Sequence, residues 1–205
     1  MSYDMGGYQY GNDPARKEIA YESAVFLRAT SFSAFTVCIQ THGKVRRAYQ
    51  FAEYTDEGGA HPYAYVTDIY RAYTKLHEHL TPYITELCEE ASATGLPQVR
   101  HLVLGWQDYK TVYPINDEFM MGDAFLIAPI TDNSTSRRVY LPAGVWEDLN
   151  TGAVHDFSEG GAWIDVSASI AEVPTFFNRN TESETARELV SGIKELYDYA
   201  RTFTP

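Results

Sequence analysis

The most regular hydrophobic pattern of the chain lies between residues 65 and 94. Every third or fourth residue there is apolar: Tyr65, Ile69, Tyr73, Leu76, Leu80, Tyr83, Leu87 and Ala91. This spacing predicts a long amphipathic helix with one buried face. Because Pro82 lies inside the pattern, a kink or a break into two helices is expected near Leu80. Gly95 and Pro97 are typical signals for the end of such a helix.

The segment before residue 62 has one shorter helix and one short strand in its pattern. Asp13-Pro14 is typical of a helix start, and it predicts a helix over about 14–28. Residues 35–39 are rich in β-branched and aromatic side chains and predict a short buried strand that stops at Thr41-His42-Gly43. A helix, a strand and a second helix in this order favour an α/β element.

After residue 97 the pattern changes to short apolar runs that are separated by turn residues. The runs are 99–106, 125–130, 139–141, 163–166 and 174–177. Several short strands at this spacing predict an antiparallel β-sandwich. A last amphipathic helix is predicted over about 183–201.

Composition narrows the class of protein. The chain has 205 residues and a net charge of −12, with 44% apolar and 14% aromatic residues, which is enough to bury a core. The acidic balance argues against nucleic acid as a partner, because phosphate binding needs lysine and arginine. No run of 18 apolar residues exists, so a membrane-spanning helix is not expected. Two cysteines exclude a disulfide-rich scaffold.

Motifs for nucleotides, metals and nucleophilic serine are absent from the sequence. There is no GxGxxG, no Walker loop and no GxSxG. His77 and His79 stand two apart on a predicted helix, so they point to different faces and favour packing roles over a metal pair. The sequence therefore predicts neither a cofactor nor a metal site.

Two polar residues lie where predicted strands end. Asp4 comes just before Gly6-Gly7, and His42 comes just before Gly43. An α/β barrel keeps its site at such strand ends. The sequence pattern alone is equally compatible with a loop-capping role for each residue, and this alternative stays open. Residues 1–10 lack the features of a secretory signal, which leaves a flexible N-terminus or a start inside a larger fold.

A series of short motifs connects the chain with a known family. In the first half of the chain they are Asp4-Met5-Gly6-Gly7-Tyr8, then Arg28, Phe35 and His42 at the family's spacing, and then Leu80-Thr81-Pro82-Tyr83-Ile84. In the second half they are Gly95-Leu96-Pro97 followed by Arg100-His101-Leu102, then residues 117–130, and then residues 139–146 followed by Thr151-Gly152. In this order and at these spacings they resemble glycoside hydrolase family 31, the α-glucosidase and α-xylosidase family. The resemblance covers residues 4–177.

The resemblance implies a fold and a reaction. The expected fold class is α/β plus all-β: residues 1–96 hold the last strands and helices of a (β/α)8 TIM barrel, 97–180 form an antiparallel β-sandwich, and 181–205 form a terminal helix. The implied reaction is retaining hydrolysis of α-linked glycosides by an aspartate nucleophile and an aspartate acid/base. In the family both aspartates precede the motif that begins here at Asp4, so the resemblance implies that the chain lacks them and is inactive by itself.

The same resemblance assigns Asp4 and His42 to the hydroxyl groups of the −1 sugar. The expected partner is an α-glycoside or oligosaccharide, and exposed barrel surface is expected to favour self-association. Some positions depart from the family: Ala29, Ser31, Val37 and Gln40 stand where Trp, Gln, Pro and Arg are usual, and Asn178 and Asn180 where Arg and Gly are frequent.

A second class of function stays open. The β-sandwich with its helices would then be a non-catalytic module that binds carbohydrate or a partner protein. Trp106, Trp146 and Trp163 are the candidates for stacking on sugars. Against each of them stands the usual burial of tryptophan in a protein core.

Overall fold

The protein is described here by a computed structural model that covers residues 2–7 and 18–204. Within these residues the helices are α1 (Ile19–Ser33), α2 (Ala48–Glu53), α3 (Tyr65–His79), α4 (Thr81–Thr94) and α5 (Glu184–Arg201). The strands are β1 (Ser2–Asp4), β2 (Cys38–Gln40), β3 (Val99–Arg100), β4 (Phe119–Met121), β5 (Phe125–Ile127), β6 (Ser136–Leu141), β7 (Val145–Asp148), β8 (Val154–Asp156), β9 (Ala162–Ser167) and β10 (Thr175–Asn178).

Strands β1 and β2 form a parallel pair, and α1 connects them along the chain. Asp4 is opposite Gln40 in this pair. The predicted strand over 35–39 is displaced, because the N–H of Phe35 donates to the carbonyl of Phe32 and prolongs the end of α1. Helix α1 therefore runs to Ser33, beyond the predicted end, while the predicted start at Asp13-Pro14 lies outside the described residues.

The predicted break in the long helix is confirmed. Leu80 separates α3 from α4. Pro82 lies in the first turn of α4, where a missing N–H removes no helical hydrogen bond. Helix α4 ends at Gly95, whose φ of 79° is left-handed. The predicted apolar face is the buried one, and Tyr73 and Tyr83 are among its buried members.

The second half of the chain is rich in antiparallel strands, as predicted. Six strands form one sheet in the order β3-β4-β5-β10-β7-β8, and β6 pairs with β9 in a second sheet. Phe125 and Ile127 of the central strand β5 face the core under the helices, while Leu126 faces the core shared with β6 and β9. Burial on both faces explains why this segment is apolar without alternation.

The sequence pattern did not predict β4, β7 and β8. Only Val99 and Arg100 of the predicted strand over 99–106 are a strand, and Leu102–Leu104 form a 3-10 turn instead. This turn is fixed by His101, whose Nδ1 accepts a hydrogen bond from the N–H of Val103 at 3.0 Å.

The C-terminal helix is confirmed, and it joins the helices to the sheet. Ser183 caps α5, because its Oγ accepts the N–H of Ala186 at 3.1 Å. The helix packs on α3, where the rings of Tyr73 and Tyr197 have centroids 6.2 Å apart. The Tyr197 hydroxyl shares a hydrogen bond of 2.7 Å with Thr175 of β10. In the part of the chain that the structure describes, no helix has the length and apolar character needed to cross a membrane.

Candidate functional site

The structure brings Asp4, Gln40 and His42 together at one end of the β1–β2 pair. The Gln40 amide nitrogen donates to Asp4 Oδ1 at 2.7 Å. His42 follows β2 by two residues, and its Nδ1 lies 3.8 Å from Asp4 Oδ2. The backbone holds this end of the pair in place, since the N–H of Met5 donates to the carbonyl of Gln40 at 3.0 Å. We call these three residues the strand-end cluster.

The glycines after Asp4 are required by the backbone. Gly6 and Gly7 have φ values of 81° and 90°, in the left-handed region that favours glycine. A Cβ on Gly6 would lie 3.0 Å from a ring carbon of Phe26. The chain can therefore turn away from the strand directly after Asp4 and pass close to α1.

The strand-end cluster is open to solvent. The His42 side chain is 62% exposed and that of Asp4 is 28% exposed. A carboxylate accepts hydrogen bonds, while an amide and an imidazole also donate them, so the three side chains suit a ligand with several hydroxyl groups. Within residues 2–7 and 18–204, no three histidine, cysteine or acidic side chains converge to hold a metal ion.

Gln40 stands where arginine is usual in glycoside hydrolase family 31, and its contact with Asp4 shows what this replacement changes. A neutral amide now holds the Asp4 carboxylate, where an arginine would add a positive charge.

A partly buried ion pair holds the loop that follows His42, and the sequence did not predict it. Glu22 of α1 is buried, and its Oε1 accepts the backbone N–H of Arg46 at 2.7 Å. Its other oxygen pairs with the Arg46 guanidinium. One signal was available: Glu22 lies four residues before Phe26 and thus on the apolar face of α1.

A cleft in the described part of the chain lies away from the strand-end cluster. It has a volume of about 470 Å³ and runs between α1 and residues 129–135. Arg28 lines it and donates to the carbonyls of Ser134, Ser169 and Glu172 at 2.9–3.2 Å. These donors are already used by the backbone, so we interpret the cleft as a packing seam between α1 and the sheets.

The two histidines of α3 have packing roles, as expected. His77 Nδ1 lies 3.0 Å from the carbonyl of Ala34, and His79 Nε2 lies 3.0 Å from the carbonyl of Leu189. They contact different elements and do not form a pair.

The three tryptophans differ in burial. Trp146 is fully buried and donates to the carbonyl of Pro142 at 2.8 Å. Trp106 is partly buried, and its ring centroid lies 5.9 Å from that of Trp146. Trp163 of β9 is 43% exposed. Only this third tryptophan offers a large accessible ring.

Comparison with known proteins identifies the class to which this architecture is related. Residues 95–181 match the glycosyl hydrolase family 31 C-terminal domain. The chain is 38% identical over 114 residues to alpha-glucosidase 2 of Bacillus thermoamyloliquefaciens. The aligned segment covers 55% of this chain and 14% of that protein. It is 28% identical over 197 residues to the alpha-xylosidase of Saccharolobus solfataricus, which covers 95% of this chain and 25% of that protein.

Solved structures agree with these relatives. A family 31 sulfoquinovosidase from E. rectale, in complex with an aza-sugar inhibitor, matches with a TM-score of 0.70 and 29% identity, over 94% of this chain and 26% of that one. These relatives are glycoside hydrolases, and the chain is similar to their C-terminal part. The motifs and matches together confirm the resemblance to the C-terminal part of glycoside hydrolase family 31. The chain spans about a quarter or less of the length of the curated relatives it matches.

Proposed function

We propose that this chain is the C-terminal portion of a retaining glycoside hydrolase that acts on α-linked glycosides. In this role Asp4 and His42 bind hydroxyl groups of the −1 sugar. The strand-end cluster is the observation that carries the proposal: two side chains suited to hydroxyl groups meet at one end of a parallel strand pair. The similarity to alpha-glucosidases and alpha-xylosidases supports the choice of α-glycosides.

The β1–α1–β2 unit supports the barrel portion of this proposal. A strand, a helix and a parallel strand are the repeating unit of a (β/α)8 barrel, whose sites lie at the carboxyl ends of the strands. Asp4 ends β1 and His42 follows β2 at that end. We accordingly assign 1–96 to the last part of a barrel, 97–180 to the β-sandwich and 181–205 to the terminal helix.

The proposal leaves the chemical step to residues outside this chain. Retention requires two carboxyl groups about 5–5.5 Å apart on either side of the scissile bond. By the family resemblance, the nucleophile and the acid/base lie on strands that precede the motif at Asp4. Asp4 and His42 then act by orienting the sugar, and a sugar without the matching hydroxyl groups would lose the hydrogen bonds to them.

The first test is an activity assay on the purified chain with aryl α-glucosides and aryl α-xylosides. We expect no turnover. Turnover that disappears in Asp4→Asn or His42→Ala would place the catalysis on this chain and overturn the assignment.

The sugar-binding roles are tested in a chimera, in which this chain replaces the matching quarter of the S. solfataricus alpha-xylosidase. In an active chimera, Asp4→Asn and His42→Ala are each expected to lower kcat/KM by about 100-fold, as for loss of hydrogen bonds to a substrate hydroxyl group. Glu57→Gln, in an exposed turn, is the matched control. Full activity after either site substitution would refute the assigned roles.

A further inference from the structure

We propose that the outer face of the β6–β9 sheet is a second carbohydrate-binding site, where a neutral pyranose ring stacks on Trp163. The site consists of Arg138, Tyr140, Trp163 and Asp165, which we call the Trp163 platform. The Trp163 platform lies on a different sheet from the strand-end cluster. A sugar site there is additional to the proposed function. Only the choice of an α-linked oligosaccharide as the ligand rests on that function.

Strand register places the four side chains on one face. Tyr140 is opposite Trp163, and Arg138 is opposite Asp165. Alternate residues of a strand point to the same side, so these two pairs are neighbours on one face. Val139 lies on the other face and is buried in the core between the sheets. The platform is therefore supported by a packed sheet.

The Trp163 ring has a rigid support in Tyr140, the Arg138 guanidinium lies over one of its faces, and the remaining surface is open. The ring centroids of Tyr140 and Trp163 lie 5.3 Å apart, and Tyr140 is buried. With 43% of Trp163 exposed, on the order of 100 Å² of this side chain remains accessible. An area of this size is comparable to one face of a sugar ring, whose C–H groups stack on aromatic rings.

Polar groups for hydroxyl recognition lie next to the open part of the ring, with Arg138 over one ring face and Asp165 opposite Arg138 on the paired strand. The Arg138 guanidinium carbon is 5.1 Å from the Trp163 ring centroid, and its Nε is 4.0 Å from Asp165 Oδ1. The two side chains are 66% and 88% exposed, so both retain hydrogen-bonding capacity for a ligand. Arginine offers donors and aspartate offers acceptors, which is the pairing that vicinal hydroxyl groups require.

Charge and size favour a sugar over other ligands. The opposite charges of Arg138 and Asp165 compensate each other, so the platform suits a neutral ligand. A stable protein interface buries about 800 Å² on each partner, far more than one exposed ring offers. A polyanion is disfavoured by the net charge of −12.

The test is calorimetric titration of the purified chain with maltotriose, isomaltotriose and an α-linked xylosyl oligosaccharide. At least one is expected to bind, with affinity lost in Trp163→Ala and largely kept in Trp163→Tyr, which retains a stacking ring. Arg138→Ala and Asp165→Asn are expected to weaken binding by about 5–10-fold, in keeping with the loss of one hydrogen bond. Circular dichroism and thermal melting check that each variant is folded.

Controls separate this site from the strand-end cluster. Tyr49→Ala removes another exposed aromatic ring, on α2, and is expected to leave the affinity unchanged. Glu57→Gln, in an exposed turn outside both sites, is also expected to leave it unchanged. No binding of any of the three sugars, or equal binding in Trp163→Ala, would overturn the inference. Loss of binding in Asp4→Asn but not in Trp163→Ala would assign the sugar to the strand-end cluster. Self-association that Trp163→Ala abolishes would identify the platform as a protein interface and overturn the inference as well.

Discussion

Glu118 is a buried carboxyl group that we expect to make the stability of the protein depend on pH. Its side chain is fully buried just before β4. Its Oε1 accepts the N–H of Tyr140 at 2.9 Å and lies 3.3 Å from Arg137 Nη2. Its Oε2 has no hydrogen-bond partner among the described residues. Arg137 is shared with Asp117, whose carboxylate lies at 2.9 Å.

Burial raises the pKa of Glu118 from 4.5 to about 7, although the Tyr140 N–H and Arg137 oppose this change. The folded protein therefore holds a proton that the unfolded chain has already lost between these two pH values. The contribution of this carboxyl group to stability is full below pH 4.5 and disappears as the pH rises through 7. By linkage, the change between pH 5 and pH 8 is about 2.5 kcal/mol.

The assay compares urea unfolding of the natural protein and Glu118→Gln at pH 5 and pH 8. Glutamine keeps the acceptor for the Tyr140 N–H and cannot ionise. The free energy of unfolding of the variant relative to the natural protein is expected to rise by about 2.5 kcal/mol over this range. Glu57→Gln, at an exposed position, should show no such change. A difference between Glu118→Gln and the natural protein that is the same at both pH values would refute the reasoning.

Three further predictions concern packing and association. Burial by itself would raise the pKa of Glu172, but hydrogen bonds from Arg201 and the backbone N–H of Ser169 lower it below its usual value. Glu172→Gln should therefore lower the free energy of unfolding by about 1–2 kcal/mol at pH 7, and this loss should become smaller as the pH falls below the pKa of an unfolded glutamate. Gly122→Ala should lower the free energy of unfolding in urea by at least about 2 kcal/mol, because its φ is 59° and a Cβ would lie 2.1 Å from the Tyr83 hydroxyl. The control Gly59→Ala should lower it less, because a Cβ there meets open space at a similar φ of 82°. Among the described residues, β1 and β2 pair only with each other, so each keeps one free edge that can pair with another chain. Sedimentation velocity should therefore detect self-association, and a monodisperse monomer would contradict this prediction.

Helices α3, α4 and α5 were predictable because their signals are local, whereas α2 was not predicted and α1 ends five residues beyond its predicted end. The apolar spacing over 65–94, Pro82 and Gly95 act within a few turns, and the structure agrees with all of them. Strands β4, β7 and β8 were missed because each has only three or four residues and, unlike β5, none lies in a longer apolar run. Such short segments become strands through the neighbours with which they pair, and these lie far away in the sequence.

For the candidate site, too, the sequence predicted individual residues but not the contacts between them. Asp4 and His42 were found from their strand-end positions and from the family motifs, and Gln40 from its departure from those motifs. The contact of Gln40 with Asp4 joins residues 36 positions apart, and that of Glu22 with Arg46 joins residues 24 apart. No local pattern contains such pairings, because they follow from the way α1 lies against the β1–β2 pair.

The sequence by itself determined the boundaries of α3, α4 and α5 within a few residues, the antiparallel character of the second half and the resemblance to glycoside hydrolase family 31. Only the tertiary structure decided which of three tryptophans is accessible and that Glu118 is buried with one unpartnered oxygen. Periodicity and turn residues act through the local backbone and can be read along the chain. The environment of a side chain depends on residues brought to it by folding, and burial and pKa follow from that environment.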